Sequence, residues 1–216
     1  MPQVFRKSSN VIAKLPLVFG AGLLVVITLV GANITPYTHR VGVALDQPAP
    51  FSHKHHVQEL GIDCRYCHTG VEKSSFAGIP ATETCLTCHS QIWTNSPLLA
   101  PIRDSFTSDT PLRWNRVNNV PDFVYFDHSI HIAKGVSCYT CHGRVDEMNL
   151  TFKSLAFEMS WCVNCHRNPE EFVRPTDEIF NPEYEPKEEQ ARVGRALVKE
   201  YDIRTEQLAD CWVCHR

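Results

Sequence analysis

The sequence has no surplus of charge of either sign and no basic stripe. Its 216 residues include 21 lysines and arginines against 24 aspartates and glutamates, a formal net charge of −3 at pH 7. A protein that binds nucleic acid through its phosphates normally carries a clustered basic face. We therefore expect no nucleic-acid partner for this chain.

No cysteine lies outside five pentapeptides of the form Cys-x-x-Cys-His, which we number motifs 1 to 5 along the chain. A disulfide framework does not require a histidine after every second cysteine. A structural zinc site takes four ligands, so an odd number of such motifs fits zinc badly. The pattern is the attachment sequence of c-type haem. The ten cysteines are Cys64, Cys67, Cys85, Cys88, Cys138, Cys141, Cys162, Cys165, Cys211 and Cys214.

Each motif supplies three groups to one haem. The two thiols form thioethers with the haem vinyl groups, and the histidine becomes the proximal ligand of the iron. We predict five covalently bound c-type haems, numbered as their motifs. The fold class we predict is a multihaem cytochrome c, mostly short α-helices and irregular loops around a five-haem core, with one N-terminal transmembrane helix. The proximal ligands are His68, His89, His142, His166 and His215.

Charge is also missing from residues 15–34, a run long enough to cross a bilayer as a helix. Arg6, Lys7 and Lys14 precede it, which by the positive-inside rule places the N-terminus in the cytoplasm. We expect a single-pass anchor in the cell (inner) membrane, and the alternative is a cleaved signal peptide. Haem of this type is attached outside the cytoplasm, so the haem region is expected on the periplasmic or extracellular side. The predicted parts are a cytoplasmic N-terminus (1–14), a transmembrane helix (15–36) and an extracytoplasmic pentahaem domain (37–216).

Two segments of the haem region are copies of each other. FSHKHH at 51–56 precedes motif 1, and FDHSIH at 126–131 precedes motif 3; each copy continues to a second motif about twenty residues later. We therefore predict a first di-haem module (51–90), a second di-haem module (126–167) and a fifth haem in a C-terminal part (187–216). The histidines repeated at equivalent positions are predicted to be distal iron ligands, and they are His53, His56, His128 and His131.

The distal ligand of the fifth haem stays open among four residues. Met148 and Met159 both lie beside haem motifs, and a methionine ligand would raise the haem potential. His55 has no counterpart in the second copy, and His39 lies just past the predicted membrane helix. An open sixth position is the remaining alternative.

The connecting segments are rich in proline. Residues 91–122 are expected to be irregular, with one short helix near 98–106. Residues 168–186 are acidic and are predicted to form an extended arm over the surface. Residues 187–201 favour a helix, with an apolar stripe formed by Ala191, Val193, Ala196 and Leu197.

The words around the motifs resemble one family. FSHKHH, CRYCHTGVE, VPDFVYFDHSIH, GVSCYTCHGRVDEM and MSWCVNCHR occur in this order. They resemble the pentahaem cytochrome c subunit of bacterial alternative complex III, a membrane quinol oxidoreductase, and the modules are similar to class III multihaem cytochromes c. The resemblance covers nearly the whole chain.

The resemblance implies an electron-transfer subunit without a catalytic site of its own and without a directly bound small-molecule substrate. It would carry electrons within a quinol:electron-acceptor oxidoreductase of a respiratory or photosynthetic chain. The implied partners are integral membrane quinol-oxidising subunits, an iron–sulfur subunit and a monohaem cytochrome c. The main alternative is a stand-alone, membrane-anchored multihaem quinol dehydrogenase that feeds periplasmic reductases. A multihaem enzyme with an open iron is disfavoured because no motif departs from Cys-x-x-Cys-His.

Overall fold

The computed structural model describes residues 6, 8–35 and 38–215. The chain divides into two compact units, with the boundary between Val41 and Gly42. Among the described residues of the first unit, one helix, α1 (Ser9–Ile34), is long and apolar enough to cross a membrane. It begins at Ser9 instead of the predicted Leu15, because the apolar residues before Leu15 continue the helical segment. The predicted end of this helix at position 36 lies outside the described residues.

The second unit consists of short helices joined by irregular segments. Its α-helices have between 4 and 11 residues. A π-helical turn spans Lys54–Glu59, and 3₁₀ turns span Pro97–Leu99, Val145–Glu147, Pro169–Glu171 and Thr176–Glu178. The α-helices are α2 (Cys64–Cys67), α3 (Thr82–His89), α4 (Ala100–Ser108), α5 (His128–Ala133), α6 (Cys138–His142), α7 (Met159–Arg167), α8 (Gln190–Glu200) and α9 (Cys211–Cys214).

Side-chain caps start several of these helices, since a short helix otherwise leaves its first N–H groups without acceptors. The Asp63 carboxylate accepts a hydrogen bond from the Arg65 N–H at 2.8 Å, in front of α2. The Asp127 carboxylate accepts one from the Ser129 N–H at 2.8 Å, in front of α5. The capped helices are α2 and α6, which carry motifs 1 and 3, and α5, which carries the repeated histidines.

Regular β-structure is almost absent from the described part of the second unit, where it consists of two isolated antiparallel bridges, Ala44 with Phe152 and Val136 with Val173. A small apolar cluster forms around Val71, Ile132 and Ile179. The prediction of short helices and irregular loops is confirmed. A small side-chain core fits a chain in which porphyrins are expected to provide much of the apolar mass.

The segment 168–186 is not the extended surface arm that its composition predicted. Val173 and Ile179 are each 1% exposed and are among the most buried residues described. The Ser137 hydroxyl donates to the Ile179 carbonyl at 2.7 Å, which ties the segment to the start of α6. Glu171, Asp177, Glu183 and Glu185 are exposed, whereas Val173 and Ile179 are buried and fix the path of the chain.

Helix α8 is confirmed within the predicted range and packs closely on the Pro169–Glu171 turn. Gly194 and Leu197 are its buried residues. A Cβ atom added at Gly194 would overlap the Glu170 carbonyl group. The Gln190 side chain donates to the carbonyls of Glu170 at 3.0 Å and Val173 at 2.8 Å. These contacts dock the C-terminal part of the chain onto the segment that follows motif 4.

Candidate functional site

Each haem motif lies on or beside one helical turn. Residues three and four apart share a face of a helix, so the Cys-x-x-Cys-His spacing directs two thiols and one imidazole to the same side. Motif 3 fills α6 from Cys138 to His142, and motif 4 lies within α7. None of the ten cysteines forms a disulfide in the structure. The donor set of each motif therefore matches one c-type haem.

The repeated histidines face the motif histidines in four pairs. The ring centroids are 6.5 Å apart for His53 and His68 and 6.1 Å for His56 and His89 in the first module. In the second module the pairs have equivalent spacings. They are His128 with His142 at 6.4 Å and His131 with His166 at 6.1 Å. The structure thus brings all four predicted distal ligands opposite a predicted proximal ligand.

These separations fit one iron between each pair. A metal–nitrogen bond of about 2.0 Å on each side, plus about 1.1 Å from each nitrogen to its ring centre, places two coaxial imidazoles roughly 6.2 Å apart. The angle between the ring planes is unconstrained, because each plane contains the iron–nitrogen axis. All four pairs lie within a few tenths of an ångström of this value.

Hydrogen bonds at Nδ1 orient the rings so that Nε2 is available to the metal. With Nε2 on the iron, Nδ1 carries the proton and donates it, an arrangement typical of metal-binding histidine. Carbonyl acceptors serve most of these histidines at 2.6–3.1 Å. They are Ser52 for His56, Gly78 for His68, Ile92 for His89, Ser75 for His128, Asp127 for His131, Leu208 for His166 and Phe123 for His215. His53 is served by the Thr151 hydroxyl at 3.0 Å.

Burial sets the protonation state of the donor groups. It lowers the pKa of His53 and of His142 to about 4, and neighbouring imidazoles add to the effect. These rings are neutral at physiological pH, which is the form that binds a metal. Burial raises the pKa of the Cys138 and Cys141 thiols to about 12. These four groups are therefore uncharged before any cofactor is attached.

An aromatic residue that sequence reasoning left without a role supports each repeated pair. The Phe51 ring stacks on His56 at 4.4 Å and meets His53 edge-on at 4.9 Å. Phe126 makes the equivalent contacts at 4.6 and 4.7 Å. The signal was present in the sequence, since this phenylalanine opens both copies. It fixes both imidazoles of one turn relative to each other.

The four candidates for the fifth distal ligand lie in different surroundings. His55 contacts the Glu59 carboxylate at 2.9 Å and stacks on Trp93 at 5.9 Å. Met148 is buried, and its carbonyl accepts a hydrogen bond from the Lys54 N–H. Met159 is 64% exposed at the first turn of α7. His39 belongs to the first unit, where its ring nitrogen lies 3.2 Å from the Asn33 carbonyl oxygen. The fifth ligand stays a prediction.

One pair is expected to have a distinct spectrum. The planes of His56 and His89 differ by 65°, whereas those of the other pairs differ by 7°, 4° and 24°. Crossed ligand planes bring two iron d orbitals close in energy and make the ferric g-tensor strongly anisotropic. EPR of the oxidised protein should show one such signal beside rhombic ones, and His56→Ala should remove it. Rhombic signals from every bis-histidine haem would contradict the 65° geometry.

Comparisons with known proteins find similar sequences over part of the chain. Residues 124–216 match the family model of cytochrome c7 and related cytochromes c, a region that contains motifs 3 to 5. Over 98 residues the chain is 38% identical to a protein of Nitratidesulfovibrio vulgaris named menaquinone reductase, multiheme cytochrome c subunit. That match covers 45% of this chain and 46% of the relative, so less than half of the relative's length is spanned. The prediction of a multihaem cytochrome c with covalently bound haem is confirmed in this general form.

Proposed function

We propose that this chain is an electron-transfer subunit of a membrane quinone or quinol oxidoreductase and binds five c-type haems in a single file. The observation that carries the proposal is the set of four opposed histidine pairs. Two protein ligands fill both axial positions of an iron, which suits it to pass electrons and leaves no position for a substrate. The one-electron chemistry belongs to the cofactor; this chain's residues bind it, orient it and exclude water.

Within each module, one short turn supplies ligands to two haems. His53 and His56 lie three residues apart and face His68 and His89, respectively. The Tyr66 hydroxyl of motif 1 lies 2.8 Å from the hydroxyl oxygen of Thr87 in motif 2. In the second module α5 relates motif 3 to motif 4 in the same way. These contacts support a proposal in which haem 1 lies beside haem 2, and haem 3 beside haem 4.

The two modules meet through motifs 1 and 3. The Arg65 guanidinium of motif 1 lies 4.6 Å from the centre of the Phe180 ring. The Tyr139 hydroxyl of motif 3 donates to the Phe180 carbonyl at 3.4 Å. Cys138 packs against the apolar cluster that contains Val71, which follows motif 1. These contacts support haems 1 and 3 as neighbours in the middle of the file.

Motif 5 lies next to motif 4. The His166 Nδ1 nitrogen lies 2.9 Å from the Leu208 carbonyl oxygen, just ahead of motif 5. The Tyr125 N–H donates to the Cys214 carbonyl at 2.8 Å. This hydrogen bond links motif 5 to the segment that leads into the second module. The order that these contacts support is haem 2, 1, 3, 4 and 5, which differs from the order of the motifs along the chain.

For haem 5 we propose Met159 as the distal ligand. It is exposed in the described structure and lies one helical turn ahead of Cys162, on the helix that adjoins motif 5. A thioether ligand would give haem 5 a higher potential than its bis-histidine neighbours. An electron in the row of haems would then reside preferentially on haem 5, at one end of the row.

The Met159→Leu variant tests this ligand. Leucine keeps the approximate volume but has no sulfur, so the methionine-to-iron charge-transfer band in the near infrared should disappear. The highest midpoint potential should fall, or the EPR spectrum should show one high-spin haem. The Met148→Leu variant is the matched control and should keep the band. Loss of the band in Met148→Leu instead would transfer the role to Met148.

The proposed setting is a larger assembly. The resemblance to the pentahaem subunit of alternative complex III and the name of the matched relative both point to a complex that exchanges electrons with a quinone. We propose that α1 anchors the chain, with the N-terminus in the cytoplasm and the second unit on the periplasmic or extracellular side. The proposed partners are integral membrane quinol-oxidising subunits, an iron–sulfur subunit and a monohaem cytochrome c.

The test is purification of the full chain from native membranes in mild detergent, followed by haem reduction with quinol and haem reoxidation with quinone. The proposal expects co-purifying polytopic subunits and quinol-driven reduction only while they are present. Faster reoxidation by menaquinone than reduction by menaquinol would assign the direction that the relative's name implies. Quinol reduction of the isolated chain at the same rate would overturn the proposal in favour of a stand-alone quinol dehydrogenase.

A further inference from the structure

The hydrogen bonds at Nδ1 of the repeated histidines divide into two kinds. His56 and His131 each bond to a carbonyl four residues earlier in the same turn, at 2.8 and 2.6 Å. They face motifs 2 and 4, the outer haem of each module. The Nδ1 hydrogen bonds of these outer distal ligands lie within their own module.

The inner distal ligands are held by the opposite module. His128, in the second module, places its Nδ1 nitrogen 2.9 Å from the carbonyl oxygen of Ser75, which follows motif 1. His53, in the first module, places its Nδ1 nitrogen 3.0 Å from the hydroxyl oxygen of Thr151, which follows motif 3. Each module thus supplies the hydrogen-bond acceptor that orients the distal ligand of the other module's inner haem.

Further backbone and side-chain hydrogen bonds between the modules surround these two contacts. The Ser129 N–H donates to the Ser74 carbonyl at 3.3 Å beside His128. The Lys54 N–H donates to the Met148 carbonyl at 3.0 Å beside His53. The Ser52 hydroxyl donates to the Asn149 side-chain oxygen at 3.3 Å. The contacts of Met148 and Asn149 hold the chain just before Thr151 close to the turn that carries His53.

The two inter-module hydrogen bonds, at His128 and at His53, differ in their acceptor. His128 meets a backbone carbonyl, whereas His53 meets the Thr151 hydroxyl, a weaker acceptor. A stronger acceptor at Nδ1 makes the imidazole more basic and stabilises the oxidised iron. A weaker one leaves the potential higher. The side-chain acceptor at His53 can be removed by substitution, which a backbone carbonyl does not allow.

We propose that Thr151 is a positioning residue for haem 1, supplied by the second module, and that it holds the His53 ring and sets the potential of haem 1 above that of haem 3. The proposal rests on the proposed function, because it presupposes a haem between His53 and His68. Docking of the two modules and ligation of the central haems are then one event. Thr151 makes no contact with the reacting iron and acts through His53.

The test compares Thr151→Val, Thr151→Ala and Thr151→Ser in the full chain with its haems. Valine and alanine remove the hydroxyl at two different volumes, and serine keeps it. We expect both hydroxyl-free variants to move the g values of one low-spin signal and to shift one midpoint potential upward. Serine should restore both readouts to the wild-type values. Thr107→Val, at an exposed threonine of α4 that bonds to the Arg103 carbonyl, is the control for a lost surface hydroxyl.

Unchanged EPR and potentials in both hydroxyl-free variants would overturn the proposal. So would equal changes in Thr151→Ser and Thr151→Val, since the oxygen would then not be the group that matters. Either result leaves the proposed function standing, because haem content is measured on the same samples. A wild-type chain that carries no haem would instead overturn the proposed function itself.

Discussion

Replacing His131 with alanine is expected to convert one haem from six-coordinate low spin to high spin. The His131 ring lies 6.1 Å from His166, centroid to centroid, and its Nδ1 hydrogen bond to the Asp127 carbonyl fixes its direction. Its removal takes away one of the two axial ligands that keep the iron low-spin. The potential of that haem should rise, because a neutral imidazole donor is lost. His128 keeps its own contacts and should continue to serve haem 3.

The measurement is EPR and carbon monoxide binding on the purified variant. Low-spin signal should fall by one haem per chain, and one haem should bind carbon monoxide. His55→Ala is the matched control, because His55 is also a histidine of a repeated turn but contacts Glu59 and Trp93. An unchanged low-spin signal in His131→Ala would remove His131 as a ligand, whereas an equal loss in His55→Ala would assign His55 as the distal ligand of haem 5.

The second large effect is expected from Gly194→Ala. The added Cβ would overlap the Glu170 carbonyl group, which belongs to a backbone turn and has little freedom to move. Overpacking of this kind costs about 3 kcal/mol. Because α8 precedes motif 5, its displacement should also disturb haem 5 while the other four sites keep their ligands.

Chemical unfolding and a redox titration measure the two consequences. We expect a lower unfolding midpoint and a change confined to the component assigned to haem 5. Gly22→Ala is the matched control, because Gly22 is also helical but has no atom within 4 Å of an added Cβ. Wild-type stability of Gly194→Ala would show that the α8 docking seen here is not maintained.

The sequence predicted the donor groups because their pattern is local. Spacing within a motif and repetition of the FxHxxH turn are readable without knowledge of the fold. Which motif each repeated histidine would face was not readable, because it depends on how the turn lies against two helices. The roles of Thr151 and Ser75 were hidden for the same reason, since each acts on a histidine of the other module.

Two other predictions depended on composition, which averages over positions. Residues 168–186 are acidic and proline-rich, yet two apolar residues of the segment, Val173 and Ile179, are buried and hold it against the rest of the second unit. The start of α1 at Ser9 was missed because charge, and not helix propensity, set the predicted limit.

Near-infrared magnetic circular dichroism of the oxidised, full-length protein tests the central claim most directly. It distinguishes bis-histidine from histidine–methionine ligation and counts each kind against the chain concentration. The account predicts four bis-histidine haems per chain, one for each opposed pair, and one haem with different ligation. Fewer than four bis-histidine haems, or more than one high-spin haem, would contradict the proposal that the haems have both axial positions filled and only transfer electrons.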